Sequence, residues 1–319
     1  MLFAGVVIST LLAACAEDPV QRIDLLAFST TVSLSVYAPP DNFQSVVVPA
    51  VEQRMKTLET RWRSFGDGRL GQLNLALERG GCGHPDPGTL ELVTIALDYQ
   101  TRSNGLFDPT LGLEVDAWGF RDIDQSKAPP APAPADKGKI RLGGSQVCSN
   151  GPVRLDLGGI AKGAIVKDLA ALLKSYNVEN AIINVGGDLL VLGMRGTKPW
   201  RVAVQHPRRP GVVAHIAAAS GDAIFSSGDY HRSRLDGEAH HILDPRTGSP
   251  SIGAIATTVI HSDPLLADVA ATALMVAGPS DFEAVAARLG VKRAILIDDN
   301  LRVHSLENTG LDLPRQLAP

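Results

Sequence analysis

The sequence predicts an α+β fold of two intimately associated lobes sharing one core. Three observations point there. Short β-type runs dominate between Val153 and His261, two helical segments follow from Asp263, and a run alternating Ala with Pro at 128–135 sets this half apart from an earlier, more helical one. Proline continues neither a helix nor a central strand, so that run reads as a surface loop or lobe connection. With 319 residues, the chain is long enough for one large domain or two joined lobes.

Taken in order, residues 24–37 alternate apolar and hydroxyl side chains and read as an opening strand. Val47, Val51, Met55, Leu58 and Trp62 then follow helical spacing, and Leu90, Val93 and Leu97 mark a second helix. Residues 153–157 read as a strand and 161–173 as a helix with Ile165, Leu169 and Leu172 on one side. Strands are expected at 181–184, 189–192, 200–204, 212–217 and 254–261. Asp263-Pro264 is a start signal and Gly278-Pro279 a stop signal for the next helix. Ser280 and Glu283 then have capping-box spacing for another. A hairpin turning at Asp298-Asp299-Asn300 closes the pattern.

Hydrophobic residues make up 45% and charged residues 20%, a globular balance rather than a disordered one. The formal charge of -4 argues against a general nucleic-acid binder, which would present a basic face. The N-terminal apolar run at 2–12 is short for a bilayer span but suits a signal-peptide core. It leads into Leu12-Ala13-Ala14-Cys15, a small-residue pattern like a bacterial lipobox, although no Lys or Arg precedes it. On that reading residues 1–14 are a lipoprotein signal peptide, Cys15 is lipidated, and 15–319 are the mature domain. Cys82 and Cys148 are then the remaining thiols, equally readable as a disulfide or as two separate groups.

Several segments could carry chemistry. Asp156 to Gly163 reads as a strand end, a glycine turn and a helix start, where free backbone N–H groups suit phosphate but a plain tight turn looks the same. Asn184-Val185-Gly186-Gly187-Asp188 is a second glycine turn, equally readable as a hairpin whose Asp bonds its own backbone. Near His240 and His241 no further Cys or His stands at zinc-ligand spacing, whereas a neutral His suits a general base. Asp268 and Thr272 are four apart on one face of an apolar helix, an oxygen-only pair suited to Mg2+. A partly solvated Asp with a backbone-bonded Thr reads the same way.

In order, these segments resemble the ApbE family, the FAD:protein FMN transferases. The pieces are Gly105-Leu106-Phe107-Asp108-Pro109-Thr110, Trp118-Gly119-Phe120, Asp156 to Gly163, Asn184 to Asp188, Ser226-Ser227-Gly228-Asp229-Tyr230, His241 to Gly248 and Ala267 to Ala273. The resemblance implies an ApbE-like fold with the FAD site between its lobes. It implies that Phe107, Asp108, Asp156, Lys162 and Ile242 line that site. It also implies that the Gly159 carbonyl, Asp268 and Thr272 hold Mg2+, and that His241 is the general base, with Asp229 and Asp244 in support. The implied reaction uses FAD as substrate and places FMN on a threonine of target subunits of membrane redox complexes, releasing AMP. The implied setting is the periplasmic side of a bacterial membrane, reached through the lipid anchor. The chain departs from the family where Phe28-Ser29-Thr30 replaces the usual Met-Gly-Thr, and both Trp62 and Phe65 compete for one aromatic position. FAD hydrolysis with water as nucleophile, or FAD binding without turnover, are the alternatives.

Overall fold

The computed structural model describes residues 19–306 except 65, 121–137 and 231–238, together with 311 and 313–317. The signal segment, Cys15, the Ala/Pro run and Phe65 lie outside the described residues. Strands β1 (Val20–Ala27) and β2 (Thr30–Tyr37) open the chain as a hairpin. This corrects the single strand expected at 24–37. The turn is made by Phe28 and Ser29, both at positive φ (54° and 59°), a conformation non-glycine residues seldom adopt and sequence patterning does not announce.

A π-helical turn, Phe43–Val47, runs into α1 (Val48–Trp62), which is followed by α2 (Arg69–Leu77), β3 (Cys82–Gly83), α3 (Pro87–Arg102) and α4 (Gly112–Ala117). Asp86 caps α3, its carboxylate accepting from Gly88 N–H (3.1 Å) and Thr89 N–H (3.4 Å), with Pro87 at the first helical position. Strands β4 (Ile140–Gly143) and β5 (Gln146–Ser149) form with β3 a three-stranded sheet in the order β3-β5-β4. Cys82 and Cys148 face each other across β3–β5 and are joined as a disulfide.

The strand expected at 153–157 is absent. Its backbone groups find tertiary partners instead of a ladder: Val153 N–H donates to Leu77 O, Leu155 exchanges two bonds with the buried Asn74 amide, and Asp156 N–H donates to Pro109 O. Next come α5 (Gly158–Ser175), β6 (Ala181–Val185), β7 (Asp188–Leu192), β8 (Trp200–Gln205), β9 (Val212–Ala218) and β10 (Ala223–Gly228). The two-residue β11 (Leu243–Asp244) and β12 (Ser249–Pro250) pair, and β13 (Ala254–His261) leads into α6 (Pro264–Leu289). Strands β14 (Arg293–Asp298) and β15 (Val303–Ser305) close the fold.

Eight strands form one antiparallel sheet in the order β1-β2-β6-β7-β10-β13-β14-β15. One face, carrying Val32, Leu34, Ile183, Phe225, Val259 and Leu296, packs under α1, α5 and α6 in the main core. That core extends without a break to Leu73, Leu92 and Val147 around the small sheet, so two lobes share one apolar interior. The other face is partly covered by the separate β8–β9 hairpin, whose Trp200, Val202 and Ile216 pack on Leu189, Ile224 and Ile295.

Helix α6 is long and apolar enough to cross a membrane by length and composition, but most of it is buried inside the protein. It is interrupted at Gly278 (φ 69°, ψ 179°) followed by Pro279, so the two helices expected from the stop signal are present as two halves of one element. Asp263 caps the first half through Leu265 N–H (3.0 Å).

Candidate functional site

The N-terminus of α5 and the first half of α6 meet at backbone distance. A Cβ on Gly163 would lie 2.5 Å from the Pro264 carbonyl oxygen and 2.9 Å from Leu265 Cα, so only glycine allows this approach. Asp268, buried at 4% exposure, is thereby placed against the first turns of α5. It accepts from the N–H groups of Gly163 (2.8 Å) and Lys162. Burial pushes its carboxyl up to about 7; the Lys162 charge and those two N–H groups pull it down, while Asp188 pushes it further up.

Lys162 is ion-paired with Asp188, which is itself 2% exposed and accepts a second bond from Ser226 N–H (2.7 Å). Two buried carboxyls therefore share one ammonium, and a buried carboxylate without full compensation is costly. A cation beside Asp268 would supply the missing charge. The neighbouring oxygens suit a hard one. A Cβ on Gly159 would lie 3.3 Å from Thr272 Oγ1 and 3.1 Å from the Phe107 ring, which places the Gly159 backbone, Thr272 and Phe107 together. Among the described residues no group of three His, Cys, Asp or Glu side chains could hold a metal, so a zinc-type centre is not offered there.

Phe107 is buried with its N–H on Ser103 Oγ (3.1 Å). Asp108 forms an Asx turn, its Oδ1 accepting from Thr110 N–H (2.8 Å), Thr110 Oγ1 (2.7 Å) and Gln100 Nε2 (2.7 Å). Asp156 Oδ1 accepts from Gly158 N–H (2.7 Å), and the bond from its own N–H to Pro109 lashes the 107–109 turn to the start of α5. The Asp156 carboxylate thus sits at the N-terminus of α5, while Asp108 braces its own turn against the end of α3.

The adjacent histidines have different surroundings. His240 Nδ1 accepts from Ile242 N–H (3.3 Å), so its Nε2 carries the proton and donates to Ser251 O (3.0 Å). Burial lowers its pKa and keeps it neutral. His241 instead lies edge-on to Phe120, with ring centroids 6.5 Å apart. Ile242 is buried in the same apolar cluster as Phe107. Asp244 and Arg246 are paired at 2.7 Å within the turn that follows, whose Gly248 carbonyl accepts from Trp118 Nε1 (2.8 Å). Asp229 is gripped by the two terminal guanidinium nitrogens of Arg208, Nη1 and Nη2 (2.7 and 2.6 Å), from the loop of the β8–β9 hairpin.

Of the residues expected from sequence, Phe107, Gly159, Lys162, Asp268 and Thr272 are brought together, with Asp108 and Asp156 adjoining. His241 and Ile242 lie on the segment leading into β11. Three contributors had no assigned role: Asp188, Asn74 and Ser227. For Asp188 the available signal was a lone carboxylate directly after two glycines; Ser227 and Asn74 look like ordinary strand and helix residues until their partners are seen.

A model of the ApbE family matches residues 28–296. An FAD:protein FMN transferase of Rhodobacter capsulatus is 33% identical, the match covering 99% of this chain and 66% of the relative. One from Salmonella typhimurium is 33% identical over 63% of this chain and 62% of the relative. The chain thus spans slightly less than two thirds of the length of these curated relatives. Among solved structures, the ApbE protein of Thermotoga maritima superposes with a TM-score of 0.81 at 26% identity, covering 90% of this chain and 97% of that one. The flavin transferase ApbE of Vibrio cholerae gives 0.77 at 25% identity, covering 91% and 99%. With the family model spanning most of the chain and the α+β architecture shared with these structures, the protein belongs to the ApbE family.

Proposed function

We propose that the protein is an FAD:protein FMN transferase that uses Mg2+ and a threonine acceptor and releases AMP. The observation that carries this reading is the oxygen set at the α5–α6 junction, where the buried Asp268 and the half-buried Thr272 and Gly159 backbone converge beside Phe107 and the α5 N-terminus. The likeness to the R. capsulatus FAD:protein FMN transferase and the V. cholerae flavin transferase supports it.

Gly159, Asp268 and Thr272 would hold the cation, which when bound supplies positive charge to the FAD pyrophosphate. Lys162, kept in place by Asp188, adds a second positive group, and the positive dipole end of α5 lies beside the same residues. Phe107 and Ile242 give the site an apolar wall that excludes water. His241 takes the proton from the threonine hydroxyl as that oxygen attacks the FMN-side phosphorus. The bond to the AMP phosphate breaks, AMP leaves with its electron pair, and FMN stays on the threonine through a phosphoester. His240 is unsuited to that role, because both its ring nitrogens are committed to backbone groups.

The test is incubation with FAD, Mg2+ and a threonine-bearing target domain, reading target mass and AMP. An FMN mass increment lost in His241→Ala and Asp268→Ala is the expected result. AMP and free FMN without a mass change would mean hydrolysis, and FAD retained without turnover would mean binding alone. The lipid anchor at Cys15 and a periplasmic, membrane-attached setting belong to the same proposal; mass spectrometry of the mature N-terminus tests them. Membrane redox subunits as acceptors are tested by flavinylation in a strain lacking the gene.

A further inference from the structure

Four threonines past the first turn of α1 and α3 share one habit. The hydroxyls of Thr57, Thr60, Thr94 and Thr101 each donate to the carbonyl four residues earlier, at 3.0, 3.0, 2.8 and 3.1 Å. That is the default for a helical threonine, whose Oγ1 otherwise lacks a nearby acceptor. Thr272 departs from it. Its hydroxyl pairs with Ser227 Oγ of β10 at 3.3 Å, across 45 residues of sequence.

The surroundings leave Thr272 little other freedom. The backbone of α6 is pinned one residue earlier, where Thr257 Oγ1 donates to Ala271 O at 2.6 Å, and Thr257 is the cross-strand partner of Ser227. On its other side the Thr272 hydroxyl abuts Gly159. Two neighbouring strand residues thus act on one turn of helix, one on its backbone and one on the Thr272 side chain.

We infer that Ser227 is a positioning residue for Thr272: it accepts the Thr272 hydroxyl proton, turning an Oγ1 lone pair toward the space shared with Gly159 and Asp268. This rests on the reading of Thr272 as a cation ligand. A hydroxyl that gives a lone pair to a cation must send its proton elsewhere. Partners that orient metal ligands are worth about 10–100-fold in affinity. At 3.3 Å the pair is long for two hydroxyls, and it should shorten once the proton has a fixed direction.

The test uses Mn2+ alone as the probe, titrated into the metal-free full-length protein and followed by electron paramagnetic resonance. Ser227→Ala should raise the Mn2+ dissociation constant about tenfold, with the melting temperature and circular dichroism of the metal-free protein showing that the fold is intact. Ser227→Thr, which keeps the hydroxyl, should restore binding. In a Thr272→Val background Ser227→Ala should cost nothing further, because the proton it accepts is gone. A dissociation constant within twofold of the unaltered protein, or an equal loss in the Thr272→Val background, overturns the role of Ser227 while leaving the metal reading standing. No Mn2+ binding by the unaltered protein overturns both.

Discussion

The two faces of the large sheet are built to different rules. The face under α1, α5 and α6 is apolar, and its few buried polar groups, Asp268 on α6 and Thr257 on β13, gather near one end. The opposite face mixes Ser33, Ser35, Asn184, Ser226 and Thr258 with the apolar patch under β8–β9, and encloses a cavity of about 350 Å³ with Asp188 and Tyr230 on its wall. A hydroxyl on the second face can find a partner or water at little cost. A carboxylate on the first must be paired, so its presence there signals chemistry. Asp188 stands at the border, bonding Lys162 and the Ser226 N–H.

That contrast can be broken most severely at the site. On the proposed function, Asp268→Ala or His241→Ala should lower FMN transfer by about 10²–10⁴-fold, measured as the FMN mass increment on the target domain. EDTA should abolish transfer by the unaltered protein, and Mg2+ should restore it. On the apolar face, Phe225→Ala should cost about 3–5 kcal/mol in urea unfolding, since Phe225 is wholly buried under the helices. Cys82→Ser, which opens the disulfide spanning 66 residues of sequence, should cost about 2–4 kcal/mol under oxidising conditions and nothing further in reductant. On the mixed face, Ser35→Ala should stay within about 0.5 kcal/mol. A loss at Ser35 as large as that at Phe225 would erase the distinction between the faces.

A pH experiment sharpens the same point at His240, a half-buried imidazole held between Ile242 N–H and Ser251 O. Burial depresses its folded pKa below 6.5, so the unfolded chain binds the proton more readily. Its contribution to stability is complete above pH 6.5 and is lost as pH falls below that value. The melting temperature should fall more between pH 7 and pH 5 in the unaltered protein than in His240→Gln. Equal slopes would mean that His240 is not locked between Ile242 and Ser251.

Much of this architecture was legible because helical periodicity and caps act locally. The Val47–Trp62 series, the Asp263-Pro264 start and the Gly278-Pro279 break all appear where expected. What escaped depended on remote partners. Residues 153–157 have a strand-like pattern but are claimed by Asn74, Leu77 and Pro109. Strand β10 was not among the expected strands, because Ser226, Ser227 and Gly228 lack an apolar alternation and gain their strand character from pairing with β13. At the site, Phe107, Lys162, Asp268 and Thr272 could be named from the ordered family motifs. Ser227 could not, since only a bond spanning 45 residues distinguishes it from any strand serine.

For the proposed cation site, the missing side chain at Gly163 bears on selectivity. Because α5 rests on the Pro264 carbonyl there, the span from Gly159 to Asp268 and Thr272 is gauged by main-chain atoms, which cannot shift rotamer to suit a guest. Mg2+ takes oxygens at about 2.0–2.1 Å and Ca2+ at about 2.3–2.6 Å. For an ion held between the two helices, admitting the larger one means prising apart a packed core, while a wedge as small as one methyl at Gly163 would widen the bore. Discrimination by ionic radius would then be encoded at a position that touches no ion.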